Sequence, residues 1–306
     1  MAVVVTGSLA YDHIMVFKDV FRKHILPEKV HMLNVSFAVD DLTVEFGGTA
    51  GNIAYSLKLL GLEPLLVATG GKDFLSYWNR LVQMGISTDY IMRLDECYTA
   101  QAFITTDLQD NQITAFHGGA AFQAHLQPLS NVKGGPHRVI VSPNGIQAMI
   151  EHAQHCREKG WKFWFDPGQA IGAFDGAQLL AAIQGAEGLV LNDYEWSVFL
   201  KKTGISRQQI LKQLPFLVIT LGEGGAEVHA EGHTQCIAAV EGIPVVDPTG
   251  AGDAFRAGLL YGLESHMDIY DCCRYGCATA SFAVEAKGTQ NHRFDKNALE
   301  KRFALL

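Results

Sequence analysis

Apolar residues along the chain follow two alternating rhythms. Short apolar runs at Val3-Val4-Val5, Pro64-Leu65-Leu66-Val67-Ala68, Val139-Ile140-Val141, Phe163-Trp164-Phe165, Gly188-Leu189-Val190-Leu191 and Leu217-Val218-Ile219-Thr220 have the length and β-branched or aromatic character of buried strands. Between them, helices are expected over Asn52 to Leu60, Phe74 to Met84, Ile146 to Lys159, Ala177 to Gln184 and Tyr194 to Thr203. Strands alternating with helices build a mostly parallel sheet covered on both faces, so the expected class is α/β. Val30 to Val44 and Gln101 to Phe116 depart from this rhythm. They alternate residue by residue like antiparallel strands, and "AQAFITTD" and "QITAF" flank Asp110-Asn111, a hairpin turn signal. No repeat or low-complexity linker divides the chain, so residues 1–306 read as one domain carrying a small β-lid.

Ligands of such sheets gather at the carboxyl ends of the strands. Gly7, Thr69-Gly70-Gly71, Ser142-Pro143-Asn144, Asp166-Pro167-Gly168, Asn192-Asp193 and Gly222 all fall there, as a single rim would require. The most informative stretch is Asp247-Pro248-Thr249-Gly250-Ala251-Gly252-Asp253-Ala254-Phe255. Ile243 to Val246 reads as a short strand before it, and Ala254 to Leu260 as a buried helix start after it. The amides of Gly250, Ala251 and Gly252 then sit at a helix N-terminus, where glycine freedom and the helix dipole make an anion hole. Asp253 beside it reads either as a simple dipole partner or as a general base.

Composition narrows the function. A 306-residue chain with 48% apolar content supplies a sizeable core, and a formal charge of −8 argues against a sequence-independent nucleic-acid partner. The apolar start breaks at Gly7 without a basic leader, and no run reaches membrane-spanning length. Cys97, Cys156, Cys236, Cys272, Cys273 and Cys277 show no zinc spacing and read as reduced thiols, so the expected location is the cytoplasm. The 12 histidines form no HxH or HExxH grouping. There is no GxxxxGK[ST] segment, and Phe255 occupies the last glycine position of a dinucleotide GxGxxG pattern.

"DPTGAGDAF" followed by "RAGLL" resembles the C-terminal signature of the ribokinase or PfkB-type carbohydrate and nucleoside kinases, and "FGGTAGNIAYSLKLLG" resembles their N-terminal signature. With "NDYE" and "TLGEGG" between them, the likeness covers essentially the whole chain. It implies a ribokinase-like three-layer αβα sandwich, with lid segments at approximately 13–46 and 95–118, that phosphorylates a primary hydroxyl from a nucleoside triphosphate. "GSLAYDHIM", "FRKHILPEKVH" and "AQAFITTDLQDNQITAFHGGA" look like adenosine-kinase-type nucleoside kinases. The expected acceptor is therefore the 5′-hydroxyl of a purine ribonucleoside, adenosine first, with inosine and guanosine as alternatives. A sugar kinase of the same family is the nearest rival, and a catalytically silent nucleotide-binding module a more distant one.

The resemblance also distributes roles. Asp12 would grip adjacent hydroxyls of the acceptor, Gly47 and Gly48 would let the backbone approach it, and Asn52 would hydrogen-bond it unless it is only a helix cap. Phe37, Phe103, Phe116 and Phe122 belong to the lid; Phe103 and Phe116 are the candidates for base contact, with His117 and Gln112 as polar alternatives. Asp253 would be the base. Asn192, Thr220, Gly222, Gly225 and Ala280 would line the ATP site, with Gly288 and Gln290 near the adenine pocket. Glu195 of "NDYE" would order magnesium through water, and Asp247 would face a monovalent cation, potassium being the candidate, or magnesium itself. Arg256 could reach a phosphate oxygen or form a surface salt bridge, while Asp166 suits a supporting role or a plain turn. Monomer and homodimer both stay open.

Overall fold

The structure, a computed structural model, describes residues 3–25, 35–109, 111–135 and 137–306. Its strands are β1 (Val3–Thr6), β2 (Ala10–Val16), β3 (Asp41–Gly47), β4 (Leu65–Gly71), β5 (Ile91–Leu94), β6 (Ala100–Thr106), β7 (Gln112–His117) and β8 (Arg138–Val141). They continue with β9 (Lys162–Phe165), β10 (Gly188–Asn192), β11 (Phe216–Thr220), β12 (Ala226–Ala230) and β13 (His233–Ile237). The helices are α1 (Thr49–Leu59), α2 (Leu75–Gln83), α3 (Ile146–Lys159), α4 (Gly176–Ile183) and α5 (Asp193–Thr203). After them come α6 (Arg207–Leu211), α7 (Ala251–Glu264), α8 (Ile269–Ala283) and α9 (Lys296–Phe303).

A nine-stranded sheet runs in the order β13-β12-β11-β10-β9-β8-β1-β4-β5, parallel from β11 to β5 and closed at the other edge by the antiparallel pair β12 and β13. Side-chain alternation splits its residues between two cores. Val3 and Val5 pack with Ile53 of α1, Leu259 of α7 and Cys273 of α8, whereas Val4 packs on the opposite face with Met149 of α3, Leu179 of α4 and Phe199 of α5. That two-sided burial is why the strands read as continuous apolar runs, and it makes the αβα sandwich. The six cysteines are free thiols; Cys156, Cys272, Cys273 and Cys277 are buried.

The second sheet, ordered β3-β2-β6-β7, stands over the carboxyl ends of the first as a lid. Its β2–β3 and β6–β7 pairs are antiparallel, while β2 and β6 run parallel, so the lid is mixed. Of the stretch expected at Val30 to Val44, residues 30–34 lie outside the described residues, and the strand there begins only at Asp41. Asp110 also lies outside them; the Asp107 carboxylate organises the neighbouring turn by accepting the N–H groups of Gln109 and Asn111. Phe37 packs on Phe17 and Phe21 as lid core rather than in the pocket.

Ile243 to Val246 is not a strand. Among the described residues the segment has no strand partner, and the Val246 and Asp247 N–H groups both donate to the carbonyl of Val284, just past α8. The helix that follows begins at Ala251, with Gly250 as its N-cap.

Helices α7 and α8 touch backbone to backbone: a Cβ on Gly258 would lie 2.3 Å from the Tyr275 carbonyl oxygen. Gly258→Val is therefore expected to cost about 3 kcal/mol, at the upper end of overpacking penalties, because the obstacle is backbone. Urea unfolding at equilibrium measures it.

Candidate active site

The turn before α7 is shaped by Gly250, whose φ of 81° is left-handed and whose added Cβ would meet Thr289 at 3.0 Å. Gly252 lies inside the helix, not at positive φ as expected. What it supplies is room, since a Cβ there would stand 2.9 Å from Arg256 Nη1. The N–H of Ala251 donates to the Pro248 carbonyl at 3.2 Å, and the first N–H taken by α7 is that of Ala254, donating to Gly250. Among the described residues the N–H groups of Gly250, Gly252 and Asp253 have no acceptor in the chain. These three free N–H groups form a cradle suited to an anion, while the N–H of Ala251 is engaged within the turn.

Arg256 forms a buried ion pair, not a surface salt bridge. Its Nε and Nη2 form a bidentate fork on Asp166, with Nη2–Oδ1 at 2.6 Å, and its Nη1 donates to the Gly252 carbonyl at 3.0 Å. Both side chains are buried, with 7% and 1% exposure. Burial pushes the Asp166 pKa up, and the fork with Arg256 opposes that rise. Asp166 at the end of β9 therefore fixes the first turn of α7. Nothing local in the sequence announces a pair formed across 90 positions.

Asp253 lies beside the cradle. Its Oδ2 accepts Asn52 Nδ2 at 2.8 Å, and Asn52 Oδ1 in turn accepts Gln290 Nε2 at 3.0 Å. Asn52 is not a cap: Gly48, at a φ of 86°, is the N-cap of α1. Burial raises the Asp253 pKa to about 7, with Asp166 and Asp12 adding to the rise while Arg256 and the Asn52 hydrogen bond oppose it. The group thus titrates near neutrality, where a proton acceptor is most useful.

Asp253 faces a cavity of about 890 Å³ between the sheet's carboxyl ends and the lid. Strand register explains what the lid contributes. Glu45, Asp12, Ala102 and Phe116 form one transverse row across the small sheet, and of these Asp12, Ala102 and Phe116 line the cavity. The next row, Val44, His13, Phe103 and Ala115, projects to the other face. Phe103 accordingly stacks on His13, with ring centroids 4.7 Å apart, and does not line the cavity; His117 alternates the same way, and Gln112 lies at the far end of β7. Gly47 makes space for the Asp12 carboxylate, since a Cβ there would sit 2.3 Å from Asp12 Oδ2. Burial, then Glu45 and Asp247, raise the Asp12 pKa to about 6.

Asn192, Glu195, Thr220, Gly222, Gly225 and Ala280 line the same cavity. Asn192 and Glu195 form a reciprocal capping box at the start of α5, in which Glu195 Oε2 accepts the Asn192 N–H at 2.8 Å. Glu195 Oε1 has no hydrogen-bond partner among the described residues, although the residue is only 8% exposed. A buried carboxylate with one free oxygen fits a cation. No cluster of three metal-ligating side chains occurs among the described residues. Asp247 accepts Thr249 N–H and Gly288 N–H, both at 2.9 Å, so its carboxylate clamps the 288 loop to the anion loop. Gln290, expected beside the adenine pocket, is buried behind Asn52 instead.

Fold and pocket together define a phosphotransferase in which a helix N-terminus with free amides shares one cavity with the carboxylates of Asp12 and Asp253. A family model described as pfkB family carbohydrate kinase matches residues 5–296, and the chain belongs to that family. It is an ATP-dependent phosphotransferase. A nucleoside kinase of Methanocaldococcus jannaschii is 30% identical over 291 residues, covering 94% of this chain and 91% of that protein. The structure of Burkholderia thailandensis nucleoside kinase in complex with inosine matches with a TM-score of 0.89 at 40% identity, covering 99% of this chain and 97% of that one. In complex with ADP-inosine the Burkholderia enzyme gives 0.87 at 42% identity, covering 99% and 95%.

Removing the Asp166 charge strands a buried guanidinium. Asp166→Asn is expected to lose about 3–5 kcal/mol of stability, the usual cost of breaking a buried pair from one side. Its thermal midpoint should fall well below that of an exposed control such as Glu63→Gln.

Proposed function

We propose that the protein transfers the γ-phosphoryl group of ATP to the 5′-hydroxyl of a purine ribonucleoside, with adenosine and inosine the acceptors to compare first. One observation carries the reading: a single cavity joins a half-buried carboxylate titrating at about 7 and three free amides at a helix N-terminus. The inosine and ADP-inosine complexes of the Burkholderia relative support a nucleoside over a free sugar.

In this reading Asp12 accepts hydrogen bonds from the ribose hydroxyls, and Phe116 offers an aromatic face to the base. Asp253 takes the proton of the attacking hydroxyl as its oxygen bonds to the γ-phosphorus and the bridging oxygen to ADP departs. The free amides of Gly250, Gly252 and Asp253 accommodate the charge spreading over the transferring group. Thr220, Gly222, Gly225 and Ala280 take the donor nucleotide. Magnesium, held through water by Glu195 beside Asn192, would neutralise phosphate charge when bound. Potassium beside Asp247 belongs to the same reading on the strength of the resemblance; that carboxylate is first of all a loop clamp.

Asp253→Asn is expected to lower kcat by about 10²–10⁴-fold while leaving ATP binding by calorimetry nearly unchanged. Parental turnover in this variant would remove Asp253 from the chemistry. In the parent, kcat/KM should rise with pH and level off above about 7, as the base ionises. The stability sign runs the opposite way. A carboxyl whose folded pKa lies above its ordinary 3.8 gains folded stability as pH falls towards that range, and keeping it ionised above about 7 costs stability. Asp253→Asn should therefore melt higher than the parent at pH 8.

Phe116→Ala should raise the nucleoside KM by about fivefold or more, the lower range for losing an aromatic stacking partner. ATP KM should stay put. A radiolabelled transfer assay across adenosine, inosine, guanosine, ribose and fructose, with product position mapped, tests the acceptor class; preference for a free sugar contradicts it.

A further inference from the structure

A hydrogen-bond chain with a fixed direction runs from Asp253 to the lid. Asn52 Nδ2 donates to Asp253 at 2.8 Å; Gln290 Nε2 donates both to Asn52 Oδ1 at 3.0 Å and to Tyr77 Oη at 2.7 Å; Tyr77 Oη donates to the Gly47 carbonyl at 2.7 Å. Each end is an acceptor, because a carbonyl and an ionised carboxylate can do nothing else. A chain bounded by acceptors needs one member that donates both ways, and the two hydrogens of the Gln290 amide nitrogen meet that need. Asn52 cannot orient itself, since rotating its amide by half a turn exchanges oxygen for nitrogen. With a donor behind it, the amide presents oxygen to Gln290 and nitrogen to Asp253. Asn52, Tyr77 and Gln290 are 5%, 0% and 2% exposed, so bulk water does not stand in for a lost partner.

We propose that Gln290 is a positioning residue of the transfer site: through Asn52 it keeps an N–H aimed at Asp253, so that this carboxylate remains a proton acceptor at neutral pH. This rests on the base reading above. The other charged groups facing Asp253 are Arg256 on its own helix, Asp166 at the end of β9 and Asp12 on β2. From α2, Arg80 Nη2 donates to the Gln290 carbonyl, not to its side chain. Substitution at 290 therefore addresses the Asn52 amide without replacing any of these charges.

Gln290→Glu puts an acceptor where the double donor was. An ionised glutamate draws the Asn52 N–H towards itself and turns Asn52 Oδ1 onto Asp253. The Asp253 titration, followed by carbon-13 NMR of labelled carboxyl groups in the full chain and assigned with Asp253→Asn, is expected to move alkaline by about one unit or more, roughly a tenfold loss of ionised form below the midpoint. Gln290→Leu should move it the same way by less, and serves if a charge at 290 prevents folding. The acidic limb of kcat/KM for the nucleoside should follow, with the KM for ATP unchanged. An unmoved Asp253 midpoint in the folded variants overturns the proposal. A moved midpoint with an unmoved rate profile supports the positioning and overturns the base assignment.

Discussion

The fork between Arg256 and Asp166 is the constraint on which the site depends. A helix N-terminus attracts anions only if its first turn is held in place, and here the guanidinium does so twice, by binding the end of β9 and by donating to the Gly252 carbonyl. It also tempers a concentration of buried acid. Asp166, Glu195 and Asp253 all have pKa values raised by burial, and Arg256 opposes the rise at each of them. Without that cation all three carboxylates would be pushed further towards the neutral form.

Around this anchor the molecule divides its labour by secondary structure. The parallel strands deliver Asp166 and Asn192 to one rim, helices α1 and α7 bring Asn52 against Asp253, and the lid adds Asp12 and Phe116 from a single transverse row. A row of four residues is an economical device. It sets a carboxylate and an aromatic face on one wall of the cavity at a spacing fixed by the sheet itself, not by loop conformation.

What could be read from the sequence follows the range of each interaction. The buried strands, the helices and the glycine turn at the start of α7 were legible because their signals are local: apolar runs, helical spacing and a glycine pair at a helix start. The lid row was half legible. Alternation revealed strands near Gln101 to Phe116, but only register tells that Phe116 shares a face with Asp12 while Phe103 turns away. Ile243 to Val246 misled because its β-branched residues lie along the cavity with no strand to pair with, and Ile243 and Val245 line the cavity instead. The Asp166 fork, the Gln290 chain and the Asp247 clamp left no trace, since each joins residues distant in sequence through side-chain geometry that no motif spells out.

The most direct measurement is a crystal structure of the protein with a purine ribonucleoside and a non-hydrolysable ATP analogue. The account predicts the 5′-hydroxyl within about 2.6–3.2 Å of the Asp253 carboxylate and the terminal phosphate on the amides of Gly250, Gly252 and Asp253. A terminal phosphate bound away from the start of α7, or a 5′-hydroxyl out of reach of Asp253, would contradict it.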